Sequence, residues 1–217
     1  MYAFTDLSLA AYCPRKLYYR WRDAEEYEYP ERDGRHELAF RYDALLDPGT
    51  ELGEEPVAVA PDEYRRALGR SKARVGAFDA LVNPDDRDVF LQGRRARGVA
   101  HKVLESPLAP SLVSAGAPPP EGVWEPQAVR AVAMAKALSW ERETPVDRAF
   151  VEYAAHGVVR ELELTARRTG QYRRALRTAA GIDGPPARTR RRSKCEACEY
   201  RGTCGVRTRS LRSLLGR

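Results

Sequence analysis

Four cysteines, divided between the two ends of the chain, constrain its fold more than any other feature. Cys195, Cys198 and Cys204 are spaced C-x2-C-x5-C near the carboxyl terminus, and Cys13 lies near the amino terminus. Two thiolates three residues apart can hold one metal from a tight turn, a third can follow after a short loop, and a fourth completes a tetrahedral shell. The spacing therefore predicts a metal centre that joins the two ends of the chain.

Four thiolates suit zinc and an iron–sulfur cluster equally, and the spacing alone does not separate them. The alternative is two disulfides or four unrelated buried thiols. We disfavour it because four cysteines in 217 residues are too few for a disulfide scaffold. The amino terminus also lacks the basic and apolar regions of a secretory signal, so we expect a cytoplasmic protein.

Charge is distributed unevenly along the chain. Residues 165–217 contain 15 Lys and Arg against 3 Asp and Glu, whereas residues 1–164 contain 22 against 28. A strongly basic region attracts a polyanion, so the sequence indicates a nucleic-acid partner. A solvated basic face or tail is the alternative. No apolar run approaches the roughly 20 residues that cross a bilayer, so no membrane partner is expected.

Within this basic region the candidate phosphate contacts lie on one predicted helix and in the linker that follows it. They are Arg167, Arg168, Arg173, Arg174, Arg177, Arg190, Arg191 and Arg192. Tyr172, on the same helix, could stack on an unpaired base or belong to the core.

Apolar periodicity predicts an α/β (α+β) domain with a mixed central sheet flanked by helices. The expected helices cover residues 4–22 with a break at Pro14, a segment from Gly34, the run that follows Trp124, and the basic segment 166–181. The expected strands are 55–61, a hairpin of 74–82 with VFLQGRR, and a second hairpin in DRAFVEYAAHGVVRELELTA. The Pro-rich and Gly-rich stretch 106–122 is expected to be a loop.

The segments LSLAAYCPRKLYYRW and CEACEYRGTC resemble the two halves of the iron–sulfur site in the CRISPR-associated exonucleases of the adaptation machinery, the fourth Cas family. These belong to the RecB-type PD-(D/E)xK nucleases. The resemblance implies a restriction-endonuclease-like domain over residues 1–217, with a 4Fe–4S cluster module made of 1–22 and 188–217. It also implies DNA as a partner, single-stranded or with frayed ends, and an association with CRISPR integration proteins.

The nuclease centre of that family holds Mg²⁺ or Mn²⁺ with hard oxygen ligands. A helix supplies a His, one strand an Asp, the next strand Glu-x-Lys, and a following helix Gln-x3-Tyr. On this chain the corresponding catalytic and metal-binding positions are His36, Asp79, Gln92, Arg94 and Gln127.

The departures from the family pattern predict an impaired centre. Gln92 replaces the Glu, Arg94 the Lys and Ala131 the Tyr. A neutral amide removes a charge from the metal site, and an arginine remains protonated and cannot act as a base near neutral pH. We therefore expect weak binding of Mg²⁺ or Mn²⁺ and slow or absent cleavage.

A different strand register would supply a second carboxylate and restore a single-stranded DNA exonuclease. The candidates are Glu105, Asp85, Asp86 and Asp88. A non-catalytic adaptor and a zinc-stabilised nucleic-acid-binding module are the alternative functions. His101 and His156 have no partner at ligand spacing, so the sequence predicts no role for either.

Overall fold

The computed structural model describes residues 1–25, 34–191 and 193–204. The described chain forms a six-stranded mixed sheet with helices on both faces. The strands are β1 (Tyr2–Ala3), β2 (Asp86–Gln92), β3 (Ala96–Glu105), β4 (Leu108–Val113), β5 (Arg148–Tyr153) and β6 (Val158–Glu163). The helices are α1 (Phe4–Tyr12), α2 (Pro14–Arg22), α3 (Arg35–Leu38), α4 (Tyr42–Leu46), α5 (Pro61–Arg74), α6 (Phe78–Val82), α7 (Glu125–Glu141), α8 (Ala166–Ala180) and α9 (Ser193–Glu196).

β3 is the central strand of the sheet and pairs with three other strands. β2 pairs with it antiparallel along one side, while β1 (parallel) and β4 (antiparallel) share its other side at opposite ends. Beyond β4 follow β5, which is parallel to β4, and β6, which is antiparallel to β5. The sheet is therefore mixed, as the sequence predicts.

Two hydrophobic clusters cover the two faces of this sheet. Helices α1, α7 and α8 pack on one face with Leu91, Val103 and Val151, and helices α4, α5 and α6 pack on the other with Leu104 and Phe150. The alanines of α7 let this helix lie close against the strands, and its first turn contains Pro126, which is tolerated where backbone N–H groups need no helical partner. α7 is the longest helix of the described chain and runs directly over the sheet.

Several sequence predictions are confirmed. The first helix breaks at Cys13, so that α1 ends before it and α2 begins at Pro14. The helix after Trp124, the hairpin β5–β6 and the basic helix α8 all form where expected. The hairpin turn needs Gly157, whose φ is 63° and where a Cβ would lie 2.8 Å from the carbonyl oxygen of Tyr64.

The first predicted hairpin is wrong. Residues 74–82 form the end of α5, a turn and α6, so VFLQGRR pairs with β3 instead. Residues 55–60 contain no strand, and the segment after Gly34 forms two short helices, α3 and α4. The expected loop at 106–122 contains the buried strand β4.

None of the helices in the described part of the chain is both long and apolar enough to span a bilayer.

Candidate functional site

One edge of β3 has a gap in its pairing beside His101, and we call this gap the split. On the side of β3 away from β2, pairing with β1 ends at Arg97 and pairing with β4 begins at Lys102. The His101 ring enters this gap, where its Nδ1 accepts a hydrogen bond of 2.8 Å from the backbone N–H of Val113. On the other side the ladder skips Asp88, whose φ is 51°. Such local breaks in a ladder often lie beside functional sites.

His36 and Asp88 approach His101 from two other elements. The His36 ring, on α3, lies 4.7 Å from the His101 ring, and its Nε2 lies 3.6 Å from Oδ1 of Asp88. Three titratable side chains thus meet at the split. Among the described residues, no group of three or more His, Cys, Asp or Glu side chains is arranged to hold an ion.

Arg130 reaches the same place from α7. A terminal guanidinium nitrogen lies 3.5 Å from Nε2 of His101, and the guanidinium Nε is buried without a hydrogen-bond partner. Burial lowers the pKa of Arg130 to about 10, so the side chain still carries its charge at neutral pH. No carboxylate of residues 1–25, 34–191 or 193–204 forms an ion pair with it.

The hydrogen bond from Val113 fixes the chemistry of His101. Because Nδ1 accepts, the proton of the neutral ring is on Nε2. Two donors, the N–H of Nε2 and the Arg130 guanidinium, then lie 3.5 Å apart. An oxyanion such as a phosphate could accept from both, and charge-assisted bonds of this kind are the strong ones.

Gln127 orients the start of α7 above the split. Its amide donates a 2.7 Å bond to Oγ of Ser114, which follows β4, and its carbonyl accepts a 2.7 Å bond from the Tyr153 hydroxyl, at the end of β5. Burial raises the pKa of Tyr153 to about 12, so this hydroxyl keeps its proton. Gln127 and Arg130 are three residues apart on α7 and so lie on the same side of the helix. The two hydrogen bonds of Gln127 thus fix the part of α7 from which Arg130 extends.

Another cation, the fully buried Lys102, lies next to His101 in the sequence. Its Nζ donates to the carbonyl oxygens of Ala39 and Leu81 at 2.6 Å each and to Oε2 of Glu152 at 2.8 Å. Oε1 of Glu152 accepts from the Ser111 hydroxyl. Lys102, Ser111 and Glu152 are fully buried, so this network joins β3, β4 and β5 and is sealed from solvent.

Asp79 lies outside the split. It is on α6 rather than on a strand, its side chain is 88% exposed, and its charged neighbour is Lys72 at 3.9 Å. The apolar alternation around it reflects the buried side of a short helix, which carries Phe78, Leu81 and Val82.

Gln92 and Arg94 lie at the turn of the β2–β3 hairpin. The backbone N–H of Gln92 donates to the carboxylate of Glu141, and the Arg94 guanidinium lies 4.6 Å from the centre of the Trp140 ring. Gln92 pairs with Arg97, which is four residues from His101, or about 13 Å along a strand. The structure therefore separates these two residues from His36.

The alternative carboxylates divide into two groups. Glu105 and Asp86 approach Arg142 at 2.8 and 3.9 Å, and Asp85 accepts from the backbone N–H of Glu105. They lie at the far end of β3, again about 13 Å from His101 along the strand. Of the four candidates, Asp88 is the one that contacts His36.

The two cysteine-bearing segments contact each other, as the sequence predicts. Lys194 donates from Nζ to the carbonyl oxygen of Tyr12 at 2.6 Å, so the residues that precede Cys13 and Cys195 touch. Lys16 forms a 2.8 Å ion pair with Glu199, which follows Cys198.

A stacked pair of rings extends this contact towards the last cysteine. The hydroxyl of Tyr19 donates to the carbonyl oxygen of Thr203, the residue before Cys204, and the Tyr19 ring stacks on Tyr200 at 5.4 Å. Each of the three later cysteines therefore has a sequence neighbour in contact with α2 or with the residue before Cys13.

All four thiols are partly buried, and none forms a disulfide. Burial raises the pKa of the Cys198 thiol. Soft thiolates suit zinc or an iron–sulfur cluster. The thiols of the described residues nevertheless do not form a completed ligand group in this geometry. The four-cysteine centre therefore stays a prediction.

The basic residues predicted on α8 are mostly exposed. Arg167, Arg173, Arg174 and Arg177 face solvent, whereas Arg168 is partly buried and donates to the carbonyl oxygen of Glu163. Arg190 and Arg191 are exposed as well, and Arg192 lies outside the described residues. The structure thus presents a basic face on α8, next to α7 and α1.

Sequence reasoning missed His101, Arg130, Lys102 and Glu152. No local spacing in the sequence links them, because His101 and Lys102 lie on β3, Arg130 on α7 and Glu152 on β5. His101 approaches Arg130, and Lys102 approaches Glu152, only in the folded chain. A scan against protein-family models finds none that matches the chain, and a search of curated proteins finds no match either.

Proposed function

We propose that this protein binds single-stranded DNA, or DNA with frayed ends, and that it resembles the CRISPR-adaptation exonucleases while having weakened or lost their metal-dependent cleavage. The observation that carries the proposal is the composition of the split beside His101. Within the described residues, an arginine and two histidines meet there with one carboxylate, Asp88.

Two-metal and one-metal phosphodiester hydrolysis needs several hard oxygen ligands to hold Mg²⁺ or Mn²⁺. A guanidinium beside such a site repels the ion and attracts the phosphate directly. The split is therefore better suited to bind a backbone phosphate between Arg130 and His101 than to hold a metal ion that activates water for hydrolysis. Glu105 does not supply the missing ligand, because it pairs with Arg142 at the other end of β3.

The exposed arginines of α8 supply the longer-range attraction. Their proposed role is tested by replacing Arg173, Arg174 and Arg177 with Gln and measuring the affinity for a labelled single-stranded oligonucleotide over a range of salt concentrations. Each lost phosphate contact lowers the salt slope by about 0.7 for a single strand, so three would lower it by about 2.

The matched control replaces three exposed arginines on the other face of the sheet, Arg66, Arg70 and Arg74 of α5. It removes the same net charge. A native protein that does not bind the oligonucleotide, or an equal loss of slope in both triple variants, contradicts the proposal.

We also propose that Cys13, Cys195, Cys198 and Cys204 hold a 4Fe–4S cluster, with zinc as the alternative. The contacts between Tyr12 and Lys194 and between Lys16 and Glu199 support a shared site. Iron and sulfide in anaerobically purified protein, lost in Cys13→Ser, would identify the cluster, and zinc without sulfide would identify the alternative. The centre has a structural role, and the protein would act beside CRISPR integration proteins.

A further inference from the structure

A cationic pocket with an exposed tryptophan lies at the turn of the β2–β3 hairpin, away from the split. Its volume is about 310 Å³, and α7, α8 and the turn residues 93–96 line it. Arg94, Arg95 and Lys136 bring three positive charges to its walls, and Trp140 and Tyr172 bring two aromatic rings. The residues that line it include no carboxylate.

The pocket depends on a close approach that only glycine permits. A Cβ at Gly93 would lie 2.9 Å from Cα and 3.2 Å from Cβ of Ala137. Without a side chain, the turn rests directly on α7, and the next residue, Arg94, places its guanidinium 4.6 Å from the centre of the Trp140 ring. The close approach of the turn to α7 thus places the Arg94 guanidinium over the Trp140 ring.

Trp140 is half exposed, at 51%, although Arg94 covers part of it. The exposed indole face lies beside positively charged side chains, which is an arrangement that a base and its phosphates can use together. None of Arg94, Arg95 and Lys136 forms an ion pair with a carboxylate of the described residues. The site offers an aromatic face and positive charge together, which are the two requirements of a single nucleic-acid strand.

We propose that Trp140 stacks on an unpaired base of a bound single strand, while Arg95 and Lys136 contact the phosphates on either side of that base. This inference rests on the proposed function and names the residues that contact the bound strand. Tyr172 lies on α8 directly before Arg173 and Arg174, so the pocket adjoins the basic face of that helix. Along α7, Trp140 lies ten residues from Arg130, or about 15 Å.

The test combines a protein change with a DNA change. Affinities of the native chain, Trp140→Ala and Trp140→Phe are measured for oligothymidylate and for an abasic strand of equal length. Stacking of one base contributes about 1–3 kcal/mol, so Trp140→Ala should weaken oligothymidylate binding about 5- to 150-fold. Trp140→Phe should retain part of the affinity. Trp140→Ala should hardly change binding of the abasic strand, because that strand offers no base to the ring.

Trp124 provides the matched control, because it is also 51% exposed. Trp124→Ala should leave the affinity for oligothymidylate unchanged. Quenching of tryptophan fluorescence by oligothymidylate should persist in Trp124→Phe and be lost in Trp140→Phe.

Equal effects of the two tryptophan variants, or an equal loss with the abasic strand, would overturn this inference and leave the proposed DNA binding intact. Absence of binding by the native chain would overturn both.

Discussion

Lys102, which is fully buried, and Arg130, which is partly buried, lie on neighbouring elements and differ in how the protein satisfies their charges. Lys102 has three acceptors, including the carboxylate of Glu152, and no exposed surface. Arg130 has a buried Nε without a partner and no ion pair with any carboxylate of the described chain. A buried charge with hydrogen-bond acceptors holds neighbouring strands together. A charge without acceptors lowers the stability of the fold, and a bound anion can compensate for this loss. We therefore infer a structural role for Lys102 and propose that Arg130 binds the ligand.

The largest expected effect is on stability. Lys102→Met leaves Glu152 buried without its partner, and such a change costs about 3–5 kcal/mol in the free energy of unfolding. Denaturant unfolding followed by circular dichroism measures it. Adding Glu152→Gln to Lys102→Met should recover part of the loss, because the uncompensated charge is removed. A loss below about 1 kcal/mol in Lys102→Met would contradict the structural role.

Arg130→Met should show the opposite pattern. It removes a partly buried charge that forms no ion pair with a carboxylate of the described residues, so the free energy of unfolding should change by less than about 1 kcal/mol. The affinity for single-stranded DNA should fall about 10- to 150-fold, since a hydrogen bond to a charged group contributes about 1.5–3 kcal/mol. Fluorescence anisotropy measures this. A large loss of stability with unchanged affinity would reverse the assignment of the two cations.

A smaller effect is expected from inorganic phosphate. A ligand at ten times its dissociation constant stabilises the native state by about 1.4 kcal/mol, and phosphate bound at Arg130 should raise the melting temperature of the native chain accordingly. Arg130→Met should lose this response at equal ionic strength. Arg142→Met should keep it, because Arg142 pairs with Glu105 on the surface. Equal responses in the two variants would show that phosphate acts elsewhere.

Gln92→Glu combined with Arg94→Lys should have the smallest effect, with no gain in cleavage of single-stranded DNA in the presence of Mn²⁺. The two residues lie at the hairpin turn, about 13 Å along β3 from His101, so the restored motif would not face His36. Gel electrophoresis of labelled DNA checks this. Cleavage that appears only in the double variant would show that Gln92 and Arg94 occupy the Glu and Lys positions of the nuclease motif, as the sequence predicts.

Regular, periodic segments could be predicted from the sequence, and irregular ones could not. The long alanine-rich helix α7 and the hairpin β5–β6 carry clear periods of 3.6 and 2. The run VGAFDALV fits either period because it is short, and it forms a helix. β4 was missed because Pro110 suggests a loop. This proline is tolerated because pairing with β5 begins only at Ser111.

The candidate site divides in the same way. The approach of the two cysteine segments could be predicted, since soft ligands at such spacing have few other uses. His36 and Gln127 were also chosen from the sequence, and both lie at the split. His101 and Arg130 could not be found, because their proximity depends on the gap between β1 and β4 and on the position of α7 over it.

The most direct test of the central claim uses one reaction, in which the native chain is incubated with labelled single-stranded DNA and Mn²⁺. The same sample is then run on a native gel and on a denaturing gel. The account predicts a retarded complex on the native gel and full-length DNA on the denaturing gel. Progressive shortening of the DNA by the native chain, absent in His36→Ala and His101→Ala, would contradict it.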